Sequence, residues 1–356
     1  MQLGLIGLPA AGKTTVFNAL TGAGLPVGRM APAGKVEVHS GVVEVPDERL
    51  QKLAALLKPR KITYAKIHFA DIGGLEAVGG RELPGALLNA VGPMDALIHV
   101  VRVFEDPSRP HPAGSVDPAR DVAWMEEEFL LNDMLVVERR LRKLAEERGK
   151  GARPADQIER ERALFTRLQA ELEAGRPLRA LELEPEMEAA LAGFTLLSRK
   201  PLLLLFNLGE GEAPPEVPAP GPRSKALWMR GQLEWEISQL PAQDRAAFME
   251  EFGIRVPARE RVVRACYELL ERCTFFTVNE QEGRAWSIRR GATALEAAGT
   301  VHSDMARGFI RAEVITWQDL LQVGGFAAAR SAGLLRVEGK EYQVQDGDVL
   351  TIRFNV

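Results

Sequence analysis

The segment Gly7-Leu8-Pro9-Ala10-Ala11-Gly12-Lys13-Thr14 decides the fold, because it matches the pattern G-x-x-x-x-G-K-[ST]. A short apolar run, residues 3–6, precedes it, and an amphipathic stretch with Val16, Phe17 and Leu20 on one side follows it. A strand, a glycine-rich loop and a helix in this order are the context that a phosphate-binding loop needs. The sequence therefore predicts a P-loop in an α/β domain.

The residues of this loop have separate physical tasks. Gly7 and Gly12 let the backbone turn so that successive N–H groups face a phosphate, and the helix N-terminus adds a partial positive charge. We expect Lys13 to act as a catalytic cation on the β- and γ-phosphates, and the Thr14 hydroxyl to coordinate Mg²⁺. The predicted nucleotide contacts in this region are Leu8, Pro9, Ala10, Ala11, Gly12, Lys13, Thr14 and Thr15.

A second motif follows the apolar residues 67–70. Asp71 and Gly74 form the pattern D-x-x-G, which in GTPase-like proteins supports Mg²⁺ and lets a backbone N–H contact the γ-phosphate. We therefore assign Asp71 to the metal, together with Thr14, and Gly74 to the γ-phosphate. Leu75 stands where a Ras-like protein has a glutamine that orients water. Because an alkyl chain makes no hydrogen bond, we expect slow hydrolysis.

The segment after residues 201–206 bears on the choice of base. Guanine selection in this class rests on Asn-Lys-x-Asp, whereas this chain has Asn207-Leu208-Gly209-Glu210. Leu208 removes the lysine, and Glu210 carries its carboxylate one methylene further out, so the guanine contacts are not assured. Asn207 has the groups that pair with N6 and N7 of adenine. A loop without a base-reading role is the alternative for so short a motif.

The rest of the chain divides by composition. Runs such as residues 96–103 are apolar on both faces, like strands of a parallel sheet covered by helices. Residues 122–197 are rich in Glu, Arg, Leu and Ala, with apolar side chains at steps of three and four, which predicts an antiparallel helical hairpin. Asp156 and Glu159 are a predicted capping box of its second arm. The predicted strands are residues 3–6, 42–45, 62–69, 96–103, 201–206, 274–278, 285–288, 312–315, 341–344 and 349–354.

Composition excludes several classes of protein. The chain has 356 residues and a net charge of −4, which fits two or three folded domains and not a surface built as a whole to coat nucleic acid or anionic lipid. Its 2 cysteines, Cys266 and Cys273, are too few for a disulfide framework. We find no basic leader and no apolar stretch near the roughly 20 residues that span a bilayer. We expect a cytoplasmic protein without membrane contact.

These motifs together resemble the YchF or Obg-like ATPase family of P-loop proteins. The resemblance covers essentially the whole chain and is most specific in FFTVNEQEGRAWSIRRGATALEAAGTVHSDMARGFIRAEVI and GKEYQVQDGDVLTIRFNV, near the C-terminus. It implies a Ras-like P-loop NTPase domain of residues 1–120 and 199–273. It also implies an inserted coiled-coil hairpin of residues 121–198 and a β-grasp TGS domain of residues 274–356.

Members of this family hydrolyse ATP in preference to GTP, require Mg²⁺ and associate with ribosomes. The resemblance therefore implies ATP as the ligand, GTP as a weaker one, and contact with the ribosome or its RNA through the hairpin and the TGS domain. The family has a hydrophobic residue at the position of Leu75. It also has a mobile loop whose histidine assists hydrolysis, and residues 104–118 line up with that loop, which makes His111 the counterpart. The chain departs from the family at Lys35, where a switch I threonine is expected, and in residues 76–82, which lack its lysines.

Two other functions stay open at the level of sequence. One is a nucleotide-responsive module that binds the ribosome or RNA with little or no hydrolysis. Leu75 favours it, as does the absence of any threonine between Thr21 and Thr63. The other is a GTPase with a guanine preference, which a clear preference for guanine nucleotides would indicate.

Overall fold

The computed structural model describes residues 1–28, 36–73, 84–150 and 153–355. Its strands, numbered along the chain, are β1 (Gln2–Ile6), β2 (Val38–Val45), β3 (Lys61–Thr63), β4 (Ala65–Ile72), β5 (Ala96–Arg102), β6 (Leu202–Asn207), β7 (Ser224–Met229), β8 (Arg272–Val278), β9 (Glu282–Arg289), β10 (Phe309–Thr316), β11 (Arg336–Glu338) and β12 (Asp348–Phe354). Its helices are α1 (Lys13–Thr21), α2 (Glu48–Leu57), α3 (Gly85–Val91), α4 (Pro118–Lys150), α5 (Ala155–Glu173), α6 (Pro185–Leu191), α7 (Gly231–Gln239), α8 (Ala242–Glu251), α9 (Ala258–Leu269), α10 (Ala294–Val301), α11 (Ser303–Arg307), α12 (Trp317–Val323) and α13 (Phe326–Ser331). None of the described helices is long and apolar enough to cross a membrane.

The chain folds into two compact units. The P-loop unit consists of Gln2–Gly41 and His68–Leu269, and the C-terminal unit consists of Met1, Val42–Ile67 and Leu270–Val356. The C-terminal unit thus includes residues 42–67, which the sequence-based boundaries assign to the nucleotide-binding domain. The remaining domain boundaries stay a prediction.

The P-loop unit is built on a six-stranded sheet of order β2-β4-β1-β5-β6-β7. The pairings of β1 with β4 and β5, of β5 with β6, and of β6 with β7 are all parallel. Every residue of β5 and of β6 is buried, because helices cover both faces of the sheet. The predicted α/β P-loop fold with a mainly parallel sheet is confirmed. Its geometry brings the carboxyl ends of β1, β4, β5 and β6 to one edge.

Helices α4 and α5 form the predicted helical hairpin. They run in opposite directions, as the ion pairs of Arg140 with Glu161 and of Arg148 with Glu159 show. Val137, Leu164, Phe165, Leu168 and Leu172 are among the buried residues of their shared core. The predicted capping box is wrong, because Pro154 occupies the N-cap of α5 and no side chain caps that end in the described chain. Asp156 instead lies in the first turn, where its charge faces the positive end of the helix dipole.

One buried carboxylate joins α4 to the segment before β6. Asp133 accepts hydrogen bonds from the Leu197 N–H at 2.7 Å, the Ser198 N–H at 2.8 Å and the Ser198 hydroxyl at 2.6 Å. Burial raises the pKa of Asp133 to about 6, although these hydrogen bonds oppose the shift. The hairpin is therefore anchored to the start of a sheet strand by a polar contact inside the core.

The C-terminal unit contains a second six-stranded sheet, of order β11-β10-β12-β8-β9-β3. Leu50 and Leu53 of α2 belong, with Phe276, to the apolar core on one face of this sheet. Strand β3 pairs in parallel with β9. Helix α10, which Thr293 and Glu296 close with a capping box, belongs to the other core. The strand predicted at residues 341–344 is not formed. A single bridge between Thr293 and Gln343 stands in its place within the described residues.

The two cysteines are free and buried, Cys266 on α9 and Cys273 on β8. Burial raises the pKa of Cys266 to about 12. Both therefore remain protonated packing residues at neutral pH.

Candidate nucleotide-binding site

The predicted P-loop lies between β1 and α1. Gly12 takes the N-cap position of α1 with φ of 84°, and in the described chain no side chain caps this end of the helix. The first N–H groups of α1 are thus without a side-chain acceptor. Such a helix start binds anions through its N–H groups and the positive end of the helix dipole.

Two glycines of the loop are required by close packing. A Cβ on Gly7 would overlap the carbonyl oxygen of Val100, and a Cβ on Gly12 would overlap the side-chain amide of Asn207. Both glycines also have positive φ, of 150° and 84°. The motif glycines therefore serve steric as well as conformational needs.

Lys13 lies folded back over its own loop. Its Nζ donates to the carbonyl oxygens of Gly7 at 2.9 Å and Leu8 at 3.0 Å. Burial lowers the pKa of Lys13 to about 8, and the charge of Asp71 opposes this shift. At neutral pH the ammonium group remains mostly charged, so the loop holds a desolvated cation where a phosphate would bind.

Thr14 and Asp71 meet at the end of β4. The Thr14 hydroxyl donates to Oδ2 of Asp71 at 2.8 Å, and Asp71 is buried. A hydroxyl and a carboxylate are hard oxygen ligands of the kind that Mg²⁺ prefers, and such sites leave the remaining positions to water and phosphate. The two residues that the sequence assigns to Mg²⁺ are thus brought together with a donor set that fits it.

The side chain of Asn207 forms a hydrogen bond with the P-loop. Its Nδ2 donates to the carbonyl oxygen of Ala11 at 3.1 Å, and its Oδ1 accepts from the N–H of Gly231 at 3.0 Å. The pairing with N6 and N7 of adenine needs one acceptor and one donor, and after these two bonds Oδ1 keeps a second lone pair and Nδ2 a second proton. The amide therefore keeps both kinds of hydrogen-bonding capacity that the adenine pairing needs, and its role in base selection stays a prediction.

Leu208 and Glu210, the other two residues of the predicted base motif, lie in different environments. Leu208 is buried in the apolar core of the P-loop unit, and its N–H donates to the carbonyl of Met229. Glu210 is exposed. Of this motif, Glu210 alone presents a carboxylate to solvent, whereas the Leu208 side chain is held inside the protein.

His111 is buried, with only 1% of its side chain exposed. Its Nε2 lies 2.9 Å from Oδ2 of Asp121 in the first turn of α4, and its Nδ1 accepts from the N–H of Ala113. Because Nδ1 accepts, the ring proton belongs on Nε2, facing the carboxylate. Arg120 also contacts Asp121, at 2.8 Å. In this arrangement the imidazole holds its loop against the first turn of α4.

Arg102 is a residue of this site that no sequence motif pointed to. It ends β5, in register with Asn207 on β6, and it is 1% exposed. The sequence signal for it is a charged residue at the end of a strand run that is apolar apart from His99. Gly74, Leu75, Lys35 and residues 76–82 lie outside the described residues.

Comparisons with known proteins agree with this geometry. A family model described as a 50S ribosome-binding GTPase matches residues 2–138, and the YchF-GTPase_C model, described as a protein of unknown function, matches residues 272–355. The chain is 39% identical over 371 residues to the ribosome-binding ATPase YchF of Bacillus subtilis, and 37% identical over 364 residues to that of Escherichia coli O157:H7. These alignments cover 100% of this chain and 100% and 99% of the relatives.

The chain belongs to the YchF family.

The solved structure of the Schizosaccharomyces pombe YchF GTPase is similar throughout. It matches with a TM-score of 0.81 and 26% identity, over 99% of this chain and 97% of that one. The GTPase model spans the P-loop, Asp71 and His111, while the YchF-specific model spans the C-terminal sheet except β3. The YchF assignment thus rests on both parts of the chain.

Proposed function

We propose that this chain is a Mg²⁺-dependent P-loop nucleoside triphosphatase that prefers ATP to GTP, turns over slowly and associates with the ribosome. The observation that carries the proposal is the meeting of Lys13, Thr14 and Asp71 around an open helix N-terminus at one edge of a parallel sheet. This is the set of groups that phosphoryl transfer needs for binding and charge neutralisation.

Different groups of this site bind the phosphates and the metal ion. The N–H groups at the start of α1 and the Lys13 ammonium hold the phosphate oxygens. The Thr14 hydroxyl and the Asp71 carboxylate hold Mg²⁺, which when bound neutralises charge on the β- and γ-phosphates. For Lys13 to serve the phosphates, its Nζ exchanges the carbonyls of Gly7 and Leu8 for phosphate oxygens.

Slow turnover follows from the groups available to orient water. The side chain of Leu75 has no hydrogen-bonding atom. His111, the second candidate, has its Nε2 against Asp121, so its participation requires the loop to leave α4. We propose that hydrolysis waits for such a rearrangement, which makes the nucleotide-bound state long-lived and suits a switch.

The ATP preference and the ribosome contact are supported by the relatives, which are named ribosome-binding ATPases. Within this chain, Leu208 and Glu210 replace the lysine and aspartate of a guanine-specific site. We further propose that the hairpin of α4 and α5 and the C-terminal TGS domain carry the ribosome contact. Helix α4 has 33 residues, about 50 Å of helix, which is long enough to reach a partner.

The test is a comparison of ATP and GTP in binding and in phosphate release, each with and without Mg²⁺. We expect tighter binding of the non-hydrolysable ATP analogue and slow, Mg²⁺-dependent phosphate release that Lys13→Ala abolishes. Co-sedimentation with ribosomes is expected to depend on the nucleotide. Equal or tighter binding of the GTP analogue overturns the ATP preference, and turnover that survives Lys13→Ala overturns the proposed site.

A binding module with little hydrolysis is the second candidate, and the burial of His111 favours it. It predicts nucleotide-dependent ribosome binding together with no phosphate release above the Lys13→Ala background.

A further inference from the structure

Arg102 places a guanidinium group inside the protein beside the P-loop. Its Nε donates to the carbonyl of Phe104 at 2.9 Å, and its Nη1 donates to the carbonyl of Arg109 at 2.9 Å and lies 3.5 Å from that of Ala10. The Phe104 ring packs against it, 4.7 Å from Cζ to the ring centre. Nη2 is buried and has no partner in the described chain.

The acceptors of Arg102 are neutral carbonyls, and no carboxylate pairs with it among the residues described here. Asp106, a carboxylate whose pKa the charge of Arg102 helps to lower, is partly exposed, and its hydrogen bond with Ser108 lowers that pKa more. A buried cation without a paired anion is unfavourable, because desolvation is not compensated by a counter-charge.

Lys13 and Arg102 bring two positive charges close to the backbone of the P-loop. Arg102 is a buried cation and Lys13 a partly buried one, and Asp71 is a buried carboxylate whose charge acts on the pKa of Lys13. His99 lies on β5 next to Gly7, and burial, helped by the charge of Lys13, lowers its pKa to about 3, so it is neutral. A bound triphosphate supplies the missing negative charge.

We propose that Arg102 is a positioning residue for the nucleotide phosphates, whose buried charge is compensated by the bound triphosphate. It acts through the P-loop at Ala10 and does not itself reach the phosphate, because it approaches the carbonyl side of the loop. The same side chain holds the Arg109 carbonyl, so it also fixes residues 103–109 against the loop. This inference rests on the proposed function, since it needs a polyphosphate ligand.

The experiment compares Arg102→Met, Arg102→Lys and the matched control Arg109→Gln in the full chain. Arg109→Gln removes an exposed positive charge from the same loop and leaves the buried guanidinium in place. The probes are a non-hydrolysable ATP analogue and ADP, both with Mg²⁺. The readouts are the dissociation constants and the rise in Tm that saturating nucleotide produces in each variant.

For Arg102→Met we expect about tenfold weaker binding of the triphosphate, a smaller loss for ADP, and a reduced nucleotide-induced rise in Tm, because the lost attraction scales with ligand charge. Arg102→Lys recovers part of the affinity, and Arg109→Gln stays within about twofold of the parent. A structural role alone lowers Tm equally with and without nucleotide, or weakens both nucleotides equally, and either result overturns the inference. If the parent chain itself binds neither probe, the proposed function fails first.

Discussion

The side-chain amide of Asn207 donates to the carbonyl oxygen of Ala11, so the end of β6 holds one wall of the P-loop in place. The same side chain accepts from Gly231 at the start of α7. Three segments far apart in sequence are thus joined by one buried amide.

Replacing Asn207 with alanine leaves the Ala11 carbonyl and the Gly231 N–H without their buried partner. Each unpaired group costs about 1–3 kcal/mol, so we expect a lower free energy of unfolding in urea and weaker binding of ATP and GTP analogues in equal proportion. A change in the ratio of the two affinities would instead assign Asn207 to base selection.

Gly12→Ala is expected to abolish nucleotide binding, because the new Cβ overlaps the Asn207 amide. Gly22 is the matched control: it follows α1 with φ of 75°, and a Cβ there meets nothing within 4 Å. Gly22→Ala therefore carries only the backbone strain of about 1 kcal/mol and keeps its affinity in a nucleotide titration. Equal effects of the two substitutions would show that strain alone, and not the contact with Asn207, explains the glycine.

Thr14→Val and Asp71→Asn test the metal assignment. Valine keeps the shape of threonine without its hydroxyl, and asparagine removes the negative charge. We expect both variants to lose the gain in triphosphate affinity that Mg²⁺ gives the parent, while affinity in excess EDTA changes little. An undiminished Mg²⁺ effect in Asp71→Asn would place the metal elsewhere.

His111→Gln is expected to reduce stability, because it breaks the buried contact with Asp121. The expected decrease in the free energy of unfolding is about 1–3 kcal/mol, and combining it with Asp121→Asn should give less than the sum of the single effects. Urea denaturation of the three variants measures this. A variant of full stability whose phosphate release is slower would point to a catalytic histidine.

The stability of the protein should depend on pH through Asp133. Its folded-state pKa of about 6 lies above the ordinary 3.8, so the folded protein holds the proton more tightly. The free energy of unfolding should therefore decrease as the pH rises from about 4 to 6, by on the order of 2 kcal/mol, and then level off. Asp133→Asn should remove this component in urea titrations at several pH values, and an unchanged slope would contradict the assignment.

The sequence predicts those parts of the fold that depend on local pattern. The P-loop spacing and the unbroken apolar runs of β5 and β6 lead directly to a parallel sheet, because few other structures bury both faces of a strand. Because β1 and β4 are neighbours in this sheet, Thr14, which follows β1, lies close to Asp71 on β4. The spacing of apolar side chains at steps of three and four likewise predicts the helical hairpin.

Contacts between distant segments leave no local pattern, and these are what the sequence does not predict. The run of residues 62–69 looks like one strand, yet it divides at Tyr64 into β3 of one sheet and β4 of the other. The roles of Asn207 and Arg102 depend on which backbone atoms the fold brings to them. Likewise, the burial of His111 depends on Asp121, ten residues away on a helix.

The membership of residues 42–67 in the C-terminal unit has a consequence for synthesis. Among these residues, β3 leaves the ribosome some 200 residues before β8 to β12, the other strands of its sheet. Until then, Leu50 and Leu53 lack Phe276, one of the residues of their apolar core. Residues 272–354 therefore complete a structure whose first part, residues 42–67, is translated much earlier, and a chain terminated before residue 270 would expose an apolar face to chaperones and proteases.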